Sequence, residues 1–237
     1  TRTIDYHGTL IAGIIGAEKD NKIGYSGLVN PKRMYGMNLD DKETYSEKGS
    51  FIKSLCPHFD VINISLTISE LSYRFKKDDY VESDHLKVMY WWRQIFTSSE
   101  CKSTTFILSA GNYKVDAMKM NGGIHYIKTA QTNVYKYVPA TNVIVVGSIQ
   151  GNEITQNFGE SVDIYAPEFL GGPLRVDNGN SIYGINIVGT SVAAPQVTGA
   201  IALMHKEIRK NPERLKEFLV LKPNLTKIDK VKDKSER

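Results

Sequence analysis

The sequence predicts an α/β fold, a three-layer sandwich with a mostly parallel central sheet, and three features predict it. Val61–Ile64, Thr105–Leu108 and Val143–Val146 are β-branched and apolar without alternation, the pattern of strands covered on both faces. A stretch of helical spacing separates the first two, so strand, helix and strand make a right-handed crossover. Val192–Met204 carries no charge, which demands a buried helix. With 237 residues, 41% of them apolar, the chain is long enough to bury such a core.

Taken in order, the chain opens with His7-Gly8-Thr9-Leu10-Ile11-Ala12-Gly13, a histidine at the start of a short helix rich in small and apolar residues. Gly13-Ile14-Ile15-Gly16 has a glycine-rich look, but a spacing of three does not fit the G-x-G-x-x-G of a dinucleotide site. In the helix expected over His85–Ser98, Val88, Met89, Trp92, Ile95 and Phe96 recur at helical spacing, which makes Trp92 core. The second strand ends in Ser109-Ala110-Gly111-Asn112, at the carboxyl end where parallel sheets gather their ligands. Asn157–Pro167 reads as a turn and strand without chemistry. Ser191, in Gly189-Thr190-Ser191, stands at the mouth of the charge-free helix, where free N–H groups favour a developing anion. Alone it reads as an N-cap serine. Pro195 is expected in the first helical turn, because proline is tolerated there and not in a helix interior.

The net charge of +4 is not a nucleic-acid signature. Lys206–Arg237 holds 11 Lys and Arg against 6 Asp and Glu, so the rest is balanced and residues 222–237 form a basic polar tail behind a domain over residues 1–221. Cys56 and Cys101 form no C-x-x-C pair and read as buried free thiols. His58, His85, His125 and His205 read as ordinary polar or half-buried residues. Asn63-Ile64-Ser65 and Asn224-Leu225-Thr226 match the glycosylation pattern, the first of them inside a strand.

Together and in this order, the histidine segment, Ser109–Asn112 and Gly189–Gly199 resemble the histidine, oxyanion-asparagine and serine motifs of the subtilisin-like serine proteases, the subtilases. Val61–Leu66 is similar to the family's cleft strand, and Tyr137–Gly147 and Asn157–Pro167 to segments linking its last two motifs. The resemblance implies a serine endopeptidase acting on extended polypeptide, with Ser191 as nucleophile, His7 as base and Asn112 as oxyanion donor. It implies substrate contacts at Ser65, Leu66, Thr67, Ser109, Ala110 and Gly111. No cofactor is expected. Calcium often accompanies relatives, but no acidic cluster here has the spacing of a site. The expected partner is polypeptide, with neither nucleic acid nor membrane, on a secreted or exported monomer.

Two departures bear on this reading. The family's acid lies on a strand well upstream of the histidine, whereas here Asp5 is the sole upstream candidate and reads as a rim residue, so the acid is expected on residues preceding these. Thr67-Ile68 stands where relatives commonly have glycines, crowding an edge at which a peptide would add as a strand. The alternative is a catalytically impaired protein of the same fold that binds polypeptide.

Overall fold

A computed structural model describes residues 7–22, 24–39, 44–68, 82–129, 134–168, 170–171, 175–177, 180–182, 186–204 and 206–221. Asp5, His205, Asn224 and the basic tail lie outside them. Helix α1 is His7–Gly16 and α2 Tyr45–Leu55, the latter opened by a capping box between Thr44 and Glu47. Strand β1 is Val61–Ile64, α3 Glu82–Phe96, β2 Thr105–Ser109, β3 Tyr126–Lys128, β4 Tyr135–Tyr137 and β5 Val143–Gln150. Then follow β6 Glu153–Ile154, β7 Ile164–Pro167, α4 Thr190–Ala202, α5 Lys206–Arg209 and α6 Pro212–Lys216.

The predicted strands are the sheet. β1, β2, β5 and β7 run parallel, and β6 returns antiparallel on β5. Successive residues point to opposite faces, and each face has its own cover. Phe106, Leu108, Val143 and Val145 pack with Met89, Trp92, Ile95 and Phe96 of α3 and Ile52 of α2. Ile107, Ile144 and Val146 pack with Ala193, Ala194, Val197 and Ile201 of α4. Trp92 is buried, as core should be. The helix expected over His85–Ser98 starts three residues earlier and stops at Phe96.

Four sequence readings need correction. Helix α4 begins at Thr190 with Gly189 as N-cap, so Ser191 is the second helical residue and not the cap. Pro195 consequently sits inside the helix, one turn deeper than expected, where it has no N–H to offer the Ser191 carbonyl. The cysteines are joined, Cys56 to Cys101, with Cα atoms 4.8 Å apart. Sheet register explains the pairing: Val61 is opposite Thr105, and each cysteine lies just ahead of its strand. A cross-link spanning 45 residues stabilises the fold by about 4 kcal/mol on the loop-entropy account. His85 and His125 are fully buried and not half-exposed.

The buried histidines hold distant segments together. His85 Nε2 lies 3.0 Å from the carbonyls of Met118 and Met120, and burial lowers its pKa to about 4. His125 Nε2 is 2.9 Å from Asp163, whose other carboxyl oxygen is 2.8 Å from Lys216 Nζ. Lys216 also donates to the carbonyls of Ala140 and Val143, and Val145 N–H donates to Asp163. Burial alone pushes the Asp163 carboxyl up, but His125 and Lys216 outweigh it and hold it below the usual range. Burial likewise lowers His125, against the pull of Asp163.

Candidate active site

The site residues gather at the carboxyl ends of β1 and β2 and the amino end of α4. Ser65 follows β1, Ser109 closes β2, and Ser191 Oγ donates to the Ser65 carbonyl at 3.2 Å. Asn63 Nδ2 donates to Ser65 Oγ, and Thr198 of α4 donates to Asn63 Oδ1. With its amide engaged on both sides, Asn63 is a strut between β1 and α4, not a glycan acceptor. Helix α1, whose first residue is His7, packs on α4 through Ile11, Ile14 and Val192, which makes Gly13–Gly16 part of a packed helix.

Asn112 is held in one orientation. Its Oδ1 accepts from both the N–H and the hydroxyl of Thr190, each at 2.9 Å, while the Thr190 hydroxyl accepts from Gly111 N–H at 3.0 Å. A backbone N–H can point only to an acceptor, so the carbonyl is the end tied down and Nδ2 is the donor left over, on an exposed residue. The close approach needs Gly189: its φ is +114°, and a Cβ there would lie 2.9 Å from Asn112 Oδ1. The loop is fixed from beneath by Asn157, fully buried, which donates to the Ala110 carbonyl and accepts from Tyr113 and Val115 N–H.

The second residue of α4 supplies another donor. Val192 and Ala193 N–H already donate to Gly189, and Thr190 N–H to Asn112. The Ser191 N–H belongs to the same first turn, whose donors have no earlier helical carbonyl to reach. The first turn of α4 therefore leaves the Ser191 N–H as a donor beside its own hydroxyl, and the helix adds its positive end.

Of the predicted substrate residues, Leu66 and Thr67 are exposed, Leu66 by 49%, while Ser65, Ser109, Ala110 and Gly111 are buried and form backbone walls. Ile68, expected to crowd the edge, turns inward and is 7% exposed. Sequence reasoning missed Thr190, Asn157 and Asn121. Thr190 lay inside a motif already noticed, but Asn157, in a loop, and Asn121, opening a 3-10 turn, are amides whose partners lie 12 to 55 residues away.

The fold and this arrangement define a class, and the comparison with known families agrees. The chain belongs to the subtilase family, whose model matches residues 1–230. Among characterised relatives it is 27% identical over 220 residues to the thermophilic serine proteinase of Bacillus sp. (strain AK1), covering 89% of this chain and 45% of that one. It is also 27% identical to the epidermin leader peptide-processing serine protease EpiP of Staphylococcus epidermidis, covering 83% and 48%. The chain thus spans about half the length of these relatives. A cold-adapted subtilisin-like serine proteinase superposes with a TM-score of 0.57 at 20% identity, covering 96% of this chain and 72% of that one, which shows the shared fold.

Proposed function

We propose that the protein is a serine endopeptidase that hydrolyses extended polypeptide segments. The observation that supports this reading is Asn112, whose Oδ1 is held by Thr190, the residue just before Ser191, which leaves its amide N–H group as a donor. In the reaction the Ser191 hydroxyl leaves the Ser65 carbonyl, gives its proton to His7 and attacks the peptide carbonyl carbon. The carbonyl oxygen, now negative, lies between Asn112 Nδ2 and Ser191 N–H. The intermediate collapses, His7 returns the proton to the departing amine, and water attacks the acyl-serine through the same base. A carboxylate from residues preceding His7 would offset the imidazolium at the positive end of α1. The chemistry runs on side chains and needs no metal or other cofactor.

The Cys56–Cys101 bond supports an oxidising, exported location, since such bonds are rare where thiols are kept reduced. Among the described residues no helix is long and apolar enough to cross a membrane. We take the working form to be a monomer acting on polypeptide.

A fluorophosphonate probe applied to the full-length protein tests the reading. The expected result is covalent labelling that Ser191→Ala abolishes. Wild-type protein that binds peptide but takes no label would instead support the impaired, polypeptide-binding alternative.

A further inference from the structure

Asn157 grips the loop that carries Asn112 on both sides of it. The loop leaves β2 through Ala110 and Gly111, and Asn157 meets both: its Nδ2 donates to the Ala110 carbonyl at 2.9 Å and its backbone N–H to the Gly111 carbonyl at 3.3 Å. Beyond Asn112 the loop offers donors, and Asn157 Oδ1 accepts from Tyr113 N–H at 2.9 Å and Val115 N–H at 3.4 Å. Carbonyls stand before Asn112 and N–H groups after it, so the side chain between them must donate and accept at once, which a carboxamide does and a carboxylate does not. Asn157 is fully buried, whereas Asn112 is exposed. Gly111 makes the approach possible, since a Cβ there would lie 2.6 Å from Asn157 Nδ2. The neighbouring backbone continues the grip, with Phe158 N–H donating to the Val115 carbonyl and Ala117 N–H to the Phe158 carbonyl.

Thr190 and Asn157 restrain different things. Thr190 bonds the Asn112 side chain and sets its rotation, while Asn157 sets where the main chain of the loop, and so the root of that side chain, stands. An oxyanion donor acts only within hydrogen-bond reach of the charge that develops, and a misplacement of about 1 Å can cost about 100-fold in rate. Resting on the endopeptidase reading, we propose that Asn157 is a positioning residue for the reaction, holding the loop so that the Asn112 amide stays where the negative oxygen forms. It touches no reacting atom and acts through Asn112. The segment it opens, Asn157–Pro167, thereby contributes to turnover although its sequence reads as turn and strand alone.

The test is a double-mutant cycle on the full-length protein, with kcat and KM for one peptide measured per folded molecule. Asn157→Ser, too short to span the loop, should lower kcat by about 10- to 100-fold with KM nearly unchanged. In an Asn112→Ala background the same substitution should cost less than about threefold, because the donor it positions is already gone. Asn142→Ser is the control: Asn142 is also a buried amide, bonded to the carbonyls of Phe96, Cys101 and Thr104 away from this loop, so its loss should lower Tm and leave kcat in place. Asn157→Asp, which keeps the acceptor and loses the donor to Ala110, gives the same readout if the serine variant does not fold. An undiminished loss in the Asn112→Ala background, a loss confined to KM, an equal loss of kcat in Asn142→Ser, or an unchanged kcat at position 157 would overturn the proposal. A second measurement needs no turnover. With isotope-labelled asparagine, the side-chain amide signals that vanish in Asn112→Ala identify Asn112 by NMR, and Asn157→Ser should move or broaden them. Unmoved signals would sink this proposal even in an active protease. Moved signals in a protein that takes no fluorophosphonate label would leave the positioning of Asn112 standing and sink the endopeptidase reading alone.

Discussion

At the carboxyl ends of β1 and β2 the buried polar groups that position the site are amides and hydroxyls, whereas at the amino ends of β5 and β7 they are charges. Thr190 bonds Asn112, Asn63 bonds Thr198, and Asn157 and Asn121 bond the Ala110 and Ser109 carbonyls. Asp163, Lys216 and His125 do the equivalent work where β5 begins, and Lys216 fastens the C-terminal helix α6 to the sheet. A neutral network keeps its shape across pH because nothing in it ionises. A charged one depends on every member, since losing one partner leaves another charge buried and uncompensated. On the proposed reading, the contrast puts chemistry at one end of the sheet and stability at the other.

The largest effect expected is at the neutral end. Ser191→Ala should lower turnover by roughly 10⁴-fold or more, a scale known from subtilisin itself, while the thermal midpoint stays nearly unchanged. A large loss of stability would show that the hydroxyl on Ser65 helps hold α4 and would blur the contrast. At the other end, Asp163→Asn should cost about 3–5 kcal/mol, a fall of roughly 10 °C in Tm for a chain of this size, with kcat per folded molecule unchanged. Calorimetry and active-site titration together decide this.

Asn112→Ala comes next. It should lower kcat by about 100- to 1,000-fold with little change in KM, the range found when an oxyanion donor of a subtilisin is removed. An effect confined to KM would make the residue a substrate contact instead. The smallest effect probes the weak point of the contrast, because His85, below the Ser109 wall, is titratable. Its pKa is lowered from 6.5 to about 4, so the unfolded chain binds its proton first as the pH falls. The stabilisation is complete above about 6.5 and is lost progressively towards pH 4, roughly 3 kcal/mol in all. Urea unfolding at pH 7 and pH 4.5 should show a shallower acid limb in His85→Gln, whose amide can still donate to Met118 and Met120. An unaltered limb would place the acid sensitivity in the His125–Asp163–Lys216 group, and the contrast would sharpen.

The sheet was legible because a strand covered on both faces must be continuously apolar, as Thr105–Leu108 and Val143–Val146 are. Helix α4 was legible by the absence of charge. The position of Asn112 after a strand's carboxyl end was legible, and the start of α4 needed a correction of two residues. That error has a physical source: the N-cap is Gly189 at positive φ, so no side-chain cap marks the boundary. Asn121, Asn157 and Asp163 were illegible because a polar residue between the main elements looks the same whether it meets water or a buried partner far along the chain. The disulfide was illegible for the same reason, since it follows from the β1–β2 register and not from cysteine spacing.

Ser191 lies 126 residues along the chain from the Ser65 carbonyl it meets, and Thr190 lies 78 from Asn112. During synthesis Ser65–Ile68 and Asn112 emerge well before Ser191, and β1, β2 and β5 can pair while α4 is still unmade. Contacts this distant in sequence are also the slowest to form, because loop closure must precede them. A nascent chain that ends before Gly189 lacks Ser191, the Thr190 that holds Asn112, and the rest of α4. On the proposed reading, the order of residues acts as a timer that defers hydrolysis until α4 has been made.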